Sequence, residues 1–227
     1  MTGPARTGPR LLSDRRTWLG LAVALGLGLG VSALLRAQPP SAPKLELTPV
    51  VLAVLTDPGS PSVGPAQADV TVVVFTDYQC PICRAHEPVL QAALTRDHGL
   101  RVVYKDWPIL GAASVQAARL ALAADRQGRY GALHDALMRT SRRLDAYGLR
   151  ATAADAGIDW PRLQADLSAH GAEFDAQLAR QAGEAWSLGI EGTPAYLVGL
   201  RLYKGGLDEA ALERAIATAR RDGRRGL

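Results

Sequence analysis

A run of β-branched and aromatic residues, Val70–Phe75, leads directly into two closely spaced cysteines, and this arrangement limits the folds open to the chain. The run predicts a strand that is buried on both faces, as in a parallel or mixed sheet. A helix is predicted from Cys80 to about Asp97, and Leu100–Tyr104 is typical of a second strand. A strand, a helix and a strand within about 35 residues form a βαβ unit, for which a right-handed crossover is expected.

After the βαβ unit, the sequence predicts a series of helices and then two strands and a final helix. Helical spacing and glycine stops indicate about four helices over residues 113–188, with a break at His170–Gly171. A hairpin of two strands and a closing amphipathic helix are predicted next, at Ala195–Val198, Arg201–Tyr203 and Asp208–Arg220. The fold class is therefore α/β, with helices inserted between a βαβ half and a ββα half.

The basic balance of the chain comes from its first 36 residues. The sequence of 227 residues has 26 Lys and Arg against 22 Asp and Glu, but residues 1–36 hold five of the arginines and one acid. Residues 37–227 are consequently neutral overall. This leaves no electrostatic footprint for nucleic acid on the folded part, and we expect no nucleic-acid partner.

An apolar stretch of 18 uncharged residues, Trp18–Leu35, is preceded by Arg15 and Arg16 and followed by Arg36. A helix of that length just crosses a bilayer core of ~30 Å. The N-terminal arginines predict a cytoplasmic N-terminus and an exported remainder. A cleaved signal peptide is the alternative, because Val31–Ala33 offers small residues to a signal peptidase. We therefore expect a single inner-membrane anchor with the domain facing the periplasm or the outside, or else secretion after cleavage.

The sequence divides into three parts. Residues 1–36 form a tail with the anchor or signal, and residues 37–64 are rich in proline and glycine and predict a linker. One short strand is expected within this linker, at Val50–Leu55. Residues 65–227 form the folded domain, which we expect to be a monomer.

The two cysteines of the chain, Cys80 and Cys83, allow three interpretations. A structural disulfide between them closes so small a loop that it removes little entropy from the unfolded chain. A metal site needs four ligands, and His86 is the one histidine with ligand spacing to the pair, so no metal is expected. Redox chemistry explains the spacing best. The N-terminus of a helix favours the thiolate of Cys80, and Cys83, one turn on, resolves a mixed disulfide. Pro81 is tolerated between them because its missing N–H would have no partner there.

The segment Phe75–Arg84, FTDYQCPICR, resembles the active-site strand and helix of DsbA-type thiol:disulfide oxidoreductases in the thioredoxin superfamily. Pro88 lies where thioredoxin-like proteins carry a helix-kinking proline, and Gly192–Ala195 is similar to the loop that bears their cis-proline. The stretch 113–188 resembles the helical insertion of the DsbA branch. The resemblance covers roughly residues 48–225 and implies a thioredoxin-like fold with a helical insertion.

The same resemblance implies a role for each residue of the site. Cys80 would be the attacking thiolate and Cys83 the buried resolving thiol. Pro194 would be the cis-proline beside the disulfide, and Thr193 would present its backbone to the client. Ile82 stands where a histidine helps the best-known oxidase of the family, and an aliphatic residue offers the thiolate no hydrogen bond or charge. A milder oxidant is therefore expected.

Three charged residues lie near the ends of the two predicted strands. Asp77, three residues before Cys80, is either a proton relay near Cys83, as acids are in this superfamily, or a polar residue that ends the strand and caps the helix. Lys105 and Asp106, at the end of the second strand, are placed to pair locally, and neither is assigned a catalytic role.

The sequence thus predicts an exported thiol:disulfide oxidoreductase that exchanges disulfides with client proteins and acts as an oxidase. The resemblance implies reduced or misoxidised exported proteins as clients, a redox partner in the membrane, and no cofactor besides the Cys80–Cys83 disulfide. A reductase or isomerase of the same fold is one alternative. A binding or chaperone module without catalysis is the other.

Overall fold

A computed structural model of the protein describes residues 42–224 and, ahead of them, Trp18 and Gly26. The predicted anchor or signal, Trp18–Leu35, lies outside the described residues except for those two. In the part of the chain that is described, no helix is both long and apolar enough to span a membrane. The folded unit begins at Ala42.

The described residues contain seven helices and five strands. The helices are α1 (Pro49–Thr56), α2 (Pro81–Arg96), α3 (Ala112–Asp125), α4 (Tyr130–Arg139), α5 (Ala146–Asp155), α6 (Trp160–Ser187) and α7 (Glu209–Arg224). The strands are β1 (Ser62–Val63), β2 (Val70–Thr76), β3 (Leu100–Asp106), β4 (Ala195–Val198) and β5 (Arg201–Lys204).

The five strands form one mixed sheet in the order β1-β3-β2-β4-β5. Strands β2 and β3 are parallel, with Val70 opposite Leu100 and Thr76 opposite Asp106, and all other neighbours are antiparallel. Helix α2 connects β2 to β3 as the crossover, β4, β5 and α7 form the second half, and α3–α6 lie between the halves. The predicted α/β class with a helical insertion is confirmed.

Strand β2 is buried on both faces because its side chains alternate between two cores. Val72 and Val74 pack in the first core, to which α2, α7 and the inserted helices contribute. Val73 and Phe75 pack in the second core, together with α1 and the C-terminal part of α6. The end of β2, where the cysteines follow, is therefore held from both sides of the sheet.

The segment Val50–Leu55, predicted as a short strand, is helical and belongs to α1. The hydroxyl of Thr48 caps this helix by accepting the N–H of Val51 at 3.3 Å. Val51 and Val54, three positions apart, both pack in the second core, whereas a strand would point them to opposite faces. Packing thus overrides the β-branched composition that favoured a strand. Residues 42–64, predicted as a linker, contribute α1 and β1 to the folded unit.

The helix break predicted at His170–Gly171 is wrong, because α6 continues through both residues. Gly171 is buried, and a Cβ at this position would lie 2.6 Å from a guanidinium nitrogen of Arg119 on α3. The end of the Arg119 side chain therefore occupies the space beside Gly171, and the glycine does not end the helix.

Lys105 is fully buried and forms two ion pairs that join separate parts of the chain. Its Nζ lies 2.8 Å from a carboxylate oxygen of Asp57 and 2.8 Å from one of Glu184. Although partial burial works against ionisation, the hydrogen bond from Lys105 lowers the pKa of Asp57. The predicted pairing of Lys105 with Asp106 is wrong, since neighbouring residues of a strand point to opposite faces of the sheet.

We expect Lys105→Met to lower the free energy of unfolding by about 3–5 kcal/mol, because two largely shielded carboxylates would lose their shared cation. Urea unfolding of wild type and variant measures the difference. Adding Asp57→Asn and Glu184→Gln to the same chain should recover part of the loss. If Lys105→Met unfolded at the wild-type midpoint, the ion pairs would contribute nothing to stability.

Candidate active site

The two cysteines lie where the chain leaves β2 and begins α2. Cys80 is the N-cap residue, with extended backbone (φ −70°, ψ 116°), and its sulfur accepts the N–H of Cys83 at 3.4 Å. Pro81 fills the first helical position, where an N–H would have no partner within the helix. The sulfur of Cys80 thus meets the N–H groups of the first turn and the positive end of the helix dipole. The helix itself begins at Pro81, one residue later than predicted, so Cys80 is the residue that caps it.

Burial has a large effect on the ionisation of the Cys83 thiol. Both residues are buried as a whole, Cys80 at 5% and Cys83 at 3% exposure. Burial raises the pKa of the Cys83 thiol to about 12. At neutral pH this group therefore stays protonated, and a protonated thiol is a poor nucleophile. The arrangement suits Cys83 to resolve a disulfide and not to start the exchange.

The loop before β4 lies against the Cys80 sulfur. The Thr193–Pro194 peptide bond is cis, and the carbonyl oxygen of Thr193 accepts the thiol of Cys80 at 3.3 Å. Pro194 is buried and Thr193 is half-buried. The Pro194 carbonyl accepts the N–H of Gly205 at 2.9 Å, which ties this loop to the end of β5. The structure therefore brings the backbone of Thr193 to the sulfur, as well as the two cysteines to each other.

Asp77 holds the loop that precedes Cys80. Its buried carboxylate accepts three hydrogen bonds, from the Gln79 N–H at 2.7 Å, the Ser114 hydroxyl at 2.6 Å and the Leu110 N–H at 3.0 Å. These bonds join the loop that leads into α2 to α3 and to the loop before it. The carboxylate of Asp77 is thus hydrogen-bonded on both oxygens within this part of the fold.

The surface around the cysteines is partly aliphatic. Ile82, in the first turn of α2, is 49% exposed, and Leu110 is 48% exposed. The Gln79 amide donates to the Leu110 carbonyl at 2.9 Å, which fixes this loop near the start of α2. His86 points elsewhere, with its Nδ1 2.9 Å from the carbonyl of Leu207. Across residues 42–224, no three His, Cys, Asp or Glu side chains are grouped as metal ligands.

Sequence reasoning missed a buried polar cluster between α2, β3 and α4. Its members are Tyr78, Glu87, Tyr104, Asp106, Tyr130 and His134. The hydroxyl of Tyr130 donates to Asp106 at 3.1 Å, and the hydroxyl of Tyr78 lies 2.9 Å from Nδ1 of His134. Nε2 of His134 lies 3.4 Å from Glu87. Two features of the sequence could have indicated this cluster. They are Glu87, on the buried face of α2, and Asp106, at the end of the buried strand β3.

The members of this cluster change one another's ionisation. Burial raises the pKa of Asp106 to about 6, and His134 and the tyrosine hydroxyls offset this only in part. Burial works to lower the pKa of His134, but Glu87 and Asp106 raise it above its ordinary value. Against its own burial, Glu87 has its pKa lowered by His134. The cluster is therefore sensitive to mildly acidic pH.

Tyr196 lies close enough to both the cysteines and the cluster to be affected by charges in each. It pairs with Val74 across β2 and β4 and packs in the same core as both cysteines. Burial raises its pKa, and the charges of Cys83, Glu87 and Cys80 add to the effect. Nothing in the sequence indicated this position, because a tyrosine after the predicted cis-proline has the pattern of an ordinary strand residue.

Comparison with known proteins decides the family. The family model described as a DSBA-like thioredoxin domain matches residues 71–217. The chain belongs to this DsbA-like thioredoxin family. It has the fold of thiol–disulfide oxidoreductases. Proteins of the DsbA-like family use a redox-active disulfide and need no separate cofactor, and they exchange disulfides with other proteins.

Solved structures of DsbA-like and thioredoxin-like proteins agree with this family. A thioredoxin-like oxidoreductase from Silicibacter pomeroyi is 40% identical, with a TM-score of 0.70 over 74% of this chain and 96% of that one. A periplasmic thioredoxin-like protein from Salmonella enterica serovar Typhimurium is 26% identical, with a TM-score of 0.66 over 78% of this chain and 99% of that one.

One curated relative is a much longer protein, of which this chain matches only a part. The Na(+)/H(+) antiporter NhaA 1 of Salinispora arenicola is 32% identical over 159 residues, which make up 69% of this chain and 24% of the antiporter. This DsbA-like chain therefore matches about a quarter of the length of that relative. The match extends to a domain and not to the whole transporter.

We expect alkylation of the reduced protein near neutral pH to label Cys80 first, because burial keeps Cys83 protonated. Brief treatment with iodoacetamide followed by peptide mass spectrometry locates the label. Cys80→Ser should then react slowly at its remaining thiol, and Cys83→Ser should react as fast as wild type. Preferential labelling of Cys83 in the wild-type protein would contradict the assignment.

The cluster beneath α2 predicts a pH dependence of stability. Asp106 and His134 have pKa values above the unfolded values of 3.8 and 6.5, so the folded protein binds more protons than the unfolded chain at mildly acidic pH. Their contribution to the free energy of unfolding is fully present when the pH is below the pKa that each group has in the unfolded chain. It is lost as the pH rises through about 6 for Asp106 and, for His134, through a pKa above 6.5. Glu87, with a lowered pKa, contributes above 4.5 and loses its contribution only at lower pH.

We therefore expect the free energy of unfolding of the oxidised protein, in which the joined cysteines do not titrate, to increase when the pH is lowered from about 8 to about 5, with each unit of pKa difference equal to about 1.4 kcal/mol. Urea unfolding at several pH values measures this. Asp106→Asn should remove the part of the increase that lies near pH 6. A stability that stays level or falls over the same range would contradict the assignment of these pKa shifts.

Proposed function

We propose that the protein is an exported thiol:disulfide oxidoreductase that acts mainly as an oxidase of client proteins. The observation that carries the proposal is the place of the Cys80 sulfur at the N-terminus of α2, 3.3 Å from the carbonyl of Thr193 and beside a cis-proline, Pro194. A sulfur at that place can be attacked by a client thiolate and can leave again as a thiolate that the helix dipole favours.

The exchange starts from the oxidised protein, in which Cys80 and Cys83 are joined. A client thiolate attacks the Cys80 sulfur, the bond between the two cysteines breaks, and Cys83 leaves and takes up a proton. Its high pKa, about 12 in the folded protein, keeps it protonated after that step. A second client thiolate then attacks the client sulfur of the mixed disulfide and releases Cys80. The client gains one disulfide, and the protein gains two electrons.

The surroundings of Cys80 support binding of an extended, partly apolar client. Thr193 is half-buried and offers backbone groups beside the sulfur. Ile82 and Leu110 present exposed aliphatic surface near the same helix end. Pro81 stiffens the first turn of α2. Asp77 acts in this proposal as the residue that positions the loop, through its three hydrogen bonds.

We further propose that the domain works in the cell envelope as a monomer, held by a single anchor at Trp18–Leu35 or released by cleavage there. The length of this apolar stretch and the arginines around it support the placement. So does the likeness to a protein described as periplasmic. Reoxidation of the Cys80–Cys83 pair requires a partner that accepts two electrons, for which we propose a protein of the membrane. Cell fractionation combined with protease accessibility tests this location.

The reduction potential of the Cys80–Cys83 pair tests the oxidase function. We expect a value between those of thioredoxin, about −270 mV, and DsbA, about −120 mV, because the helix N-terminus stabilises the reduced form and Ile82 adds no further stabilisation. Equilibration with glutathione buffers measures the potential. Ile82→His should move it upward, by about 30 mV for each tenfold change in the exchange equilibrium.

Two results would contradict the proposal. A wild-type potential at or below that of thioredoxin would favour a reductase of the same fold. Client binding that is retained in Cys80→Ser, without any oxidation of clients by the wild-type protein, would favour a binding or chaperone module. The matched control is Cys83→Ser, which keeps the attacked sulfur and loses the resolving one.

A further inference from the structure

A cavity of about 490 Å³ opens beside the reactive end of α2. Gln79 and Pro81, the residues on either side of Cys80, line one wall. The opposite wall is the connection between α4 and α5, residues 140–144, and Arg84 of α2 also lines the space. A polypeptide joined to Cys80 by a disulfide would therefore have its neighbouring residues close to this cavity.

Three arginines surround the cavity, namely Arg84, Arg142 and Arg143. The guanidinium of Arg84 donates to the carbonyl oxygens of Tyr78 and Leu137, each at 3.3 Å, and it also contacts the carbonyl of Thr140. These partners are neutral, so they fix the position of the guanidinium and leave its positive charge uncompensated.

The acids near the cavity do not balance these charges. Arg142 pairs with Asp155 at 2.6 Å, and both side chains are substantially exposed. Asp145 caps α5 by accepting the N–H of Gly148 at 2.9 Å. Arg143 is exposed and has no hydrogen bond or ion pair to any side chain within residues 42–224. One lining arginine is thus paired, while two face the cavity without an acid.

This concentration of charge is local. Residues 37–227 carry equal numbers of basic and acidic residues, so a general excess of positive charge does not account for three arginines around one cavity. The aliphatic surface of Ile82 and Leu110 near the same helix end has a different character. The reactive sulfur therefore lies near a cationic cavity and near apolar surface, which together can distinguish one client from another.

We propose that this cavity binds the carboxylate of a client Asp or Glu that lies close in sequence to the reacting cysteine, and so favours clients with acidic residues there. The inference rests on the proposed disulfide exchange at Cys80. An extended chain covers about 3.3–3.6 Å per residue, and Pro81, which lines the cavity, directly follows Cys80. The acidic residue accordingly lies within about three positions of the client cysteine.

The test uses two reduced peptides, each with two cysteines, that differ only by Glu or Gln two positions from one cysteine. The oxidised full chain is mixed with each peptide, and peptide oxidation is followed at low and high salt. Each rate is divided by the rate of the same peptide with a small neutral disulfide, which removes the effect of the Glu charge on the reactivity of the peptide's own thiol. The ratio of the two corrected rates is the Glu preference.

We expect a Glu preference of about threefold or more at low salt, and a smaller one at high salt, since exposed charges are screened. Arg142→Ala combined with Arg143→Ala should reduce the preference markedly, since only Arg84 would remain, and Arg143→Lys should retain most of it. Asp155→Asn should increase the preference because it frees Arg142 from its partner, a gain that a purely structural role would not produce. Arg139→Ala is the control, as Arg139 pairs with Asp135 and does not line the cavity.

Equal corrected rates for both peptides in the wild-type protein would overturn the cavity proposal and leave the proposed function standing. A Glu preference that is undiminished in the Arg142→Ala, Arg143→Ala variant would also overturn it, because the two exposed arginines of the cavity would then contribute nothing. Failure to oxidise either peptide would contradict the proposed function, and the cavity proposal with it.

Discussion

The hydrogen bond from the Cys83 N–H to the Cys80 sulfur defines the chemistry of this protein, because it holds that sulfur over the open end of α2. A helix end leaves several N–H groups without partners, and here a sulfur atom takes the place of the usual capping oxygen. Asp77 keeps the preceding loop in position by three hydrogen bonds, and Thr193 limits the sulfur from the other side. Each part of the proposed exchange depends on this arrangement.

The fold makes two chemically identical residues unequal. Strand β2 is fixed by a core on each face, so the chain emerges from it at a defined point, with Cys80 at the helix end and Cys83 one turn further along, both against the first core. Burial then raises the pKa of Cys83, while Cys80 remains beside the helix N-terminus. The helical insertion adds a second wall next to the same helix end, and with it the cavity lined by arginines. The proposed reactivity thus follows from the sheet and the helix, and the proposed client choice from the insertion.

Features that depend on neighbouring residues could be predicted from the sequence, whereas those that depend on distant residues could not. The βαβ unit, the hairpin and the position of Cys80 at a helix start follow from local patterns of hydrophobicity and spacing. Helix α1 was predicted as a strand because its apolar residues are β-branched, and the second core decides otherwise. The side chain beside Gly171 is that of Arg119, and the partners of Lys105 lie far away in the sequence. The residues of the buried polar cluster likewise meet only in the folded chain.

Trapping of the mixed disulfide tests the central claim most directly. Reduced Cys83→Ser and Cys80→Ser variants are each incubated with a client peptide that contains a disulfide, quenched with acid and analysed by mass spectrometry. The account predicts a stable adduct of Cys83→Ser, joined through Cys80, since the serine cannot resolve it. It predicts little or no adduct of Cys80→Ser, whose remaining thiol is buried and protonated. An adduct that forms equally well through Cys83, or no adduct through Cys80, would contradict it.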